Sequence, residues 1–269
     1  MKLKKIAEGN TAEVFSLEPG KVIKLYHVGY PADEAIKEAE KCEVAFKQGL
    51  PTPRVIDLTT MDGRQGIVFD ECSGPTMEAR LRDHPTDIDL MAKTFAQLHH
   101  QIHDCSGMGL PTTQERTGMK ISHAQILDEK TRSALQAELS QQPGETHFCH
   151  GDFHPGNVLL TEKGPVLIDW VDATMGSPVA DVARTLMLIR YSEIPAEPTE
   201  ALAFNRMKDA FLDAYLAHYT SLRAFPEQAM DRWLPLISAA RLSENATGPD
   251  QTKAILSLVE TSIDRSLNG

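Results

Sequence analysis

The densest chemistry in the chain lies in His150-Gly151-Asp152-Phe153-His154-Pro155-Gly156-Asn157, with Asp169 following in Leu167-Ile168-Asp169-Trp170. Asp152, Asn157 and Asp169 carry side-chain oxygens, which can take a proton from a hydroxyl or ligate a hard cation such as Mg2+. Gly, Pro, Asn and Asp are also ordinary turn formers, so Asp152 and Asn157 alone would fit a solvated loop equally well. Asp169 at the end of a following strand argues against that. His147-Phe148-Cys149 and Val158-Leu159-Leu160 read as short strands, and Thr161-Glu162-Lys163-Gly164 as the turn into Pro165-Val166-Leu167-Ile168. The three polar residues are then expected at strand ends, where a scaffold can hold them.

HGDFHPGN followed by Asp169 resembles the catalytic signature of the aminoglycoside phosphotransferase and choline kinase family, small-molecule relatives of the protein kinases. The resemblance implies an α+β, protein kinase-like two-lobed fold, with a small antiparallel β-sheet N-lobe carrying one helix and a mainly helical C-lobe. It also implies transfer of the terminal phosphate of ATP, or of GTP, to a small-molecule hydroxyl, a reaction catalysed mostly by positioning and charge stabilisation. On that pattern Asp152 is the base facing the acceptor, Asn157 and Asp169 hold Mg2+, and His150 supports the loop. Asp181, in Asp181-Val182-Ala183-Arg184, matches the family's aspartate after the metal loop and is expected to hold the catalytic loop by hydrogen bonds. The segment between Asp169 and Asp181 is short, which disfavours a protein kinase. A nucleotide-binding pseudoenzyme is a further alternative.

The same resemblance organises the first 73 residues as a nucleotide-binding lobe, leaving residues 74–269 for a catalytic and substrate-binding lobe. Ile6-Ala7-Glu8-Gly9-Asn10-Thr11-Ala12-Glu13-Val14 sits where a kinase has its glycine-rich loop, with Ala7 and Ala12 at the first and third glycine positions. Gly9 and Asn10 are the loop residues carried over to phosphate binding. Val22-Ile23-Lys24-Leu25-Tyr26 alternates as a strand and places Lys24 where the family has its phosphate-binding lysine. Residues 32–48 have helical composition, with Ile36, Ala39, Val44 and Phe46 as the candidate buried face. That helix offers Glu38 or Glu40 as the partner of Lys24. Two more strands flank Asp62-Gly63, a hairpin turn. Asp70 and Cys72 then fall in the hinge expected to bind the nucleotide base.

Length, at 269 residues, allows one large or two modest domains, and 41% apolar residues is ordinary for a globular chain. The absence of a long apolar run or secretory signal predicts a soluble cytoplasmic protein that does not engage a membrane. Cys42, Cys72, Cys105 and Cys149 are widely spaced, which predicts free thiols rather than zinc or disulfides. A net charge of -11 disfavours nucleic acid and would favour a cationic acceptor. Monomer and homodimer are both open.

The remainder reads as helical. Thr86 with Asp89 forms a capping box for a helix whose apolar face is Ile88, Met91, Phe95, Leu98 and Ile102. His99 and His103 share that helix, and the family's leucine-histidine pair implies a structural role for His99. Ser177-Pro178 starts another helix, and residues 199–267 carry two or three more, broken near Ala224-Phe225-Pro226 and Thr247-Gly248-Pro249. No motif there names the acceptor, although Asp172, Glu244 and Asp250 are acidic residues that could face an amine.

Overall fold

A computed structural model describes residues 3–192, 197–244 and 248–268. The chain divides into two compact units. One comprises Met1–Asp83 with Pro155–Asp172, and the other His84–His154 with Ala173–Gly269.

In the first unit, β1 (Lys4–Glu8), β2 (Ala12–Glu18), β3 (Lys21–Tyr26), β4 (Val55–Met61) and β5 (Arg64–Asp70) form one antiparallel sheet in the order β1-β2-β3-β5-β4. Asp62 and Gly63 make the two-residue turn between β4 and β5, with φ of 52° and 73°. Both sit in the left-handed region that a twist-compatible hairpin turn demands. Alternation along β3 decides what faces what, because successive side chains leave a strand on opposite sides. Ile23 and Leu25 join Val68 in a buried cluster. Lys24 and Tyr26 take the other face, where both reach Glu38 of α1 (Glu34–Lys47).

The buried stripe of α1 differs from the sequence expectation. Ala35, Glu38, Ala39, Cys42 and Ala45 are buried, Val44 is half-buried, and Ile36 and Phe46 are exposed. Small residues let the helix lie close to its neighbours, and the charge of Lys24 draws a glutamate into a stripe that hydrophobicity alone would assign elsewhere. The unit is completed by α2 (Met77–Asp83) and the hairpin β7 (Val158–Thr161) and β8 (Gly164–Leu167). The Leu160 N–H donates to Pro75 O and that of Leu167 to Pro51 O.

The second unit holds α3 (Ile88–Asp104), α4 (Thr113–His123), α5 (Glu129–Ser140), α6 (Pro178–Arg190), α7 (Pro198–Leu222), α8 (Glu227–Arg241) and α9 (Pro249–Asn268). Pro226 and Pro249 mark the breaks around α8, and Thr247 lies outside the described residues. Two short strands, β6 (His147–Cys149) and β9 (Thr174–Gly176), pair antiparallel. One core gathers Ile121, Leu135, Met187, Trp233, Leu236 and Val259 from α4, α5, α6, α8 and α9. A second centres on Phe95 of α3, stacked on Phe153 at 4.0 Å and edge-on to Tyr215.

The expected capping box of α3 is not formed. Pro85–Asp87 is a single 3-10 turn, and Asp87 is the N-cap, without a side-chain cap. Asp89 therefore lies one position short of where a reciprocal box needs its acid. That motif occurs instead at α4, between Thr112 and Glu115. Among the described residues, no helix is long and apolar enough to cross a membrane. All four cysteines are free thiols.

Candidate active site

Two groups of polar residues stand out, one in each unit. In the first unit, Lys24 Nζ lies 2.7 Å from Glu38 Oε1 and 3.1 Å from Asp169 Oδ1. Glu38, rather than the exposed Glu40, is the partner supplied by α1. Burial alone would lower the Lys24 pKa, but the Glu38 and Asp169 carboxylates outweigh it and raise the ammonium above its ordinary value. The cation is fixed between two acids. Asp169 follows β8 with φ of 66°, a left-handed conformation that Asp tolerates better than most side chains. The β7–β8 hairpin brings Asn157 to the same end, since Asn157 O accepts the Ile168 N–H at 3.1 Å. Two amide or carboxylate side chains are thus set at neighbouring strand ends, a donor type that suits a hard divalent cation.

The same unit contains a cavity of about 500 Å³. Val14 and Val22 of the sheet, Leu159 and Ile168 of the hairpin, and Asp70, Cys72, Lys24, Glu38 and Asp169 line it. Its size and mixed apolar and polar walls are those of a small-molecule pocket. Gly9 and Asn10 are not among its lining residues; the Gly9 N–H donates to Ala12 O at 2.9 Å, closing the β1–β2 turn.

In the second unit the residues around Asp152 are held by Asp181 near the start of α6. Its carboxylate accepts the His150 N–H at 2.6 Å and the Gly151 N–H at 2.8 Å. His99 Nε2 and His103 Nε2 lie 3.1 and 3.3 Å from the same Oδ2. Each histidine has a tyrosine on its other nitrogen, Tyr215 at 2.7 Å from His99 and Tyr219 at 2.6 Å from His103. Two residues four apart on α3 therefore meet two residues four apart on α7, side chains that a helix stacks on one face. The three potential ligands, His99, His103 and Asp181, would group a metal by distance alone. With tyrosine hydroxyls donating to both Nδ1 atoms and both Nε2–H groups donating to Asp181, the network is complete as hydrogen bonds.

Charge in this network is decided by burial and by partners. Burial lowers the pKa of both histidines, to about 3 for His103, so they stand neutral. Burial would raise Asp181, but the bonds from His103 and His99 hold it far below the usual carboxylate range. Asp152 follows the same logic: burial opposes its charge, and His154 at 3.6 Å, Arg184 at 3.9 Å and His150 together keep it ionised. His150, fully buried, also accepts the Asp152 N–H on Nδ1 at 3.3 Å.

Sequence reasoning did not single out Arg184, Tyr215, Tyr219, Lys120 or Arg241. Glu244, read there as a residue that could face an amine, is instead held by Lys120 Nζ at 2.6 Å, by Arg184 Nη2 at 3.0 Å and by Arg241. The repeated four-residue spacing of His99/His103 and Tyr215/Tyr219 was the one available signal.

Comparison with known proteins places this arrangement. The model of the phosphotransferase enzyme family matches residues 2–225, most of the chain. The chain belongs to the phosphotransferase enzyme family. It is accordingly a small-molecule kinase, with the mixed α and β architecture of that group. Over 197 residues it is 27% identical to aminoglycoside 3'-phosphotransferase of Streptomyces fradiae, covering 67% of this chain and 72% of that protein. Amicoumacin kinase hAmiN, solved in complex with AMP-PNP, Ca2+ and Ami, superposes with a TM-score of 0.65 at 13% identity, over 98% of this chain and 88% of its own. Aminoglycoside-3'-phosphotransferase of type VIII gives 0.61 at 20% identity, over 88% and 93%. At such identities the two solved structures speak for the fold of this phosphotransferase.

Proposed function

We propose that this phosphotransferase moves the terminal phosphate of ATP, or of GTP, to a hydroxyl of a small molecule, with an aminoglycoside as the leading acceptor. The observation that carries the reading is the Asp181 clasp, which fixes the backbone immediately ahead of Asp152 while Asp152 itself stays ionised. A carboxylate in that state can orient an acceptor hydroxyl and take its proton as phosphate arrives. In the first unit, the cavity beside Asp70 and Cys72 accepts the nucleotide base, and Lys24, tied to Glu38, meets the phosphates. Gly9 and Asn10 approach them through the β1–β2 turn. Asn157 and Asp169 fit Mg2+ by their oxygen donors and would hold it. When bound, that ion supplies positive charge to the nucleotide phosphates. His150 and Asp181 position the loop without touching the acceptor.

The aminoglycoside assignment draws on the Streptomyces fradiae relative and on the net charge of -11. One observation favours a second reading, a less cationic alcohol such as a macrolide, homoserine or a sugar. Three cations already occupy Glu244, so it does not offer an amine a free carboxylate. An ADP-release screen over aminoglycosides, macrolides, amino alcohols and sugars, with Mg2+ and ATP or GTP, separates the two. Turnover confined to aminoglycosides supports the first, turnover with macrolides, homoserine or sugars and not with aminoglycosides the second, and none with any acceptor counts against both.

A further inference from the structure

Arg184 lies three residues after Asp181 on α6 and is almost wholly buried, with 8% of its side chain exposed. Its Nε donates to Gly151 O at 3.1 Å, on the peptide leading into Asp152. The Nη2 of the same guanidinium lies 3.9 Å from Asp152 Oδ1 and 3.1 Å from Glu244 Oε2. The planar fork thus divides its work between the loop carbonyl and Glu244, beyond the end of α8. At 3.9 Å this Nη2 is too far from Asp152 Oδ1 for a hydrogen bond.

That division has a chemical consequence. An arginine bonded directly to Asp152 would occupy the oxygen that must accept a proton. One held slightly away favours the ionised carboxylate through its field without itself occupying that oxygen. Glu244 holds the same Nη2, and Arg184, Lys120 and Arg241 together keep Glu244 charged against its burial; burial and Arg184 both act against charge on Lys120, whose pKa falls to about 8, with Arg116 adding to the same effect. His154 and His150 of this unit also face Asp152 and favour its charge.

We infer that Arg184 is a positioning residue for Asp152, aligning the loop through Gly151 O and maintaining the carboxylate's charge, with Glu244 as the anchor that sets its distance. The inference rests on Asp152 being the base. The same contacts could serve only to tie α6, the loop and the end of α8 together, and a purely structural tie would leave the titration of Asp152 unmoved once the protein is folded.

The test is carbon-13 NMR of aspartate-labelled full-length protein, in which the Asp152 signal is identified by its loss in Asp152→Asn. In the parent the signal should not titrate above pH 4. In Arg184→Gln the midpoint should rise toward that of a free aspartate near pH 4, so that the signal moves between about pH 3 and 5 where the parent signal stays flat, as expected for losing an opposite charge at this range. Arg184→Lys keeps the charge but not the fork, so the low midpoint should return. ADP release with Mg-ATP and kanamycin is read on the same samples; there Arg184→Lys should lower kcat with KM for ATP unchanged. An unmoved Asp152 midpoint in folded Arg184→Gln overturns the inference. If Arg184→Gln does not fold, Arg184→Lys decides alone: an Asp152 midpoint as high as that of a free aspartate overturns it, and a low midpoint supports it. The titration is read whether or not kanamycin is an acceptor, and the function reading fails separately if Asp152→Asn retains turnover.

Discussion

Acidification should destabilise the second unit through His103. This side chain has no exposure, and burial together with neighbouring His99 brings its pKa to about 3. An unfolded histidine titrates near 6.5. Because the folded value is depressed, the stability is fully present above about pH 6.5 and is lost as pH falls toward about 3, the unfolded chain taking the proton first. At pH 5, one and a half units below the unfolded value, His103 alone should cost about 2 kcal/mol relative to pH 8. His99 acts in the same direction. The stability contributed by Asp181, whose folded pKa is also depressed, is fully present above the ordinary carboxylate range and is lost only below it, outside this window. The assay is urea unfolding at pH 8 and pH 5 in a Trp170→Phe background, so that buried Trp233 reports on the second unit. His103→Gln can still donate to Asp181 and accept from Tyr219 but cannot titrate. The parent should lose about 2 kcal/mol more than His103→Gln between the two pH values. Parallel losses in the two proteins would refute the claim that His103 is held neutral.

Three further outcomes follow from named contacts. A Cβ at Gly74 would lie 2.2 Å from Leu160 O, so Gly74→Ala must shift backbone; thermal or urea unfolding should show a loss of roughly 1–3 kcal/mol, and parental stability would contradict the packing. Lys24→Ala removes a charge-assisted contact worth about 1.5–3 kcal/mol, so calorimetry should show at least about tenfold weaker binding of a non-hydrolysable ATP analogue, and unchanged affinity would remove Lys24 from the phosphate site. Glu244→Gln leaves Lys120, Arg184 and Arg241 around a neutral amide, and a loss of roughly 1–4 kcal/mol is expected, tempered by partial exposure; equal stability would show that the cations do not depend on it.

What the sequence revealed and what it hid follow from the range of the forces involved. The β7–β8 hairpin, the Asp62-Gly63 turn and the strand carrying Lys24 were legible because period-two alternation and turn chemistry are local. The buried face of α1 was not, because Ala35, Glu38 and Cys42 are buried by what they meet rather than by their own hydrophobicity, while Ile36 and Phe46 remain outside. Pro85 moved the start of α3 past Thr86 by forming a 3-10 turn, a choice between two local signals that the wider fold settled. Arg184 and Glu244 stand sixty positions apart and Lys120 farther from both, so no spacing rule joins them. The two tyrosines behind His99 and His103 are separated from them by 116 residues, and only their matching four-residue interval hinted at the pairing.

The central claim is that Asp152 accepts the proton of an alcohol as phosphate is transferred to it. Its most direct test is a single-turnover measurement with Mg-ATP and an acceptor from the screen, comparing parent and Asp152→Asn and following the phosphorylated product by phosphorus-31 NMR, with nucleotide binding measured in parallel. The account predicts a phosphate monoester and ADP from the parent, and loss of nearly all product in Asp152→Asn with nucleotide binding retained. Product formed by Asp152→Asn at the parental rate would contradict it.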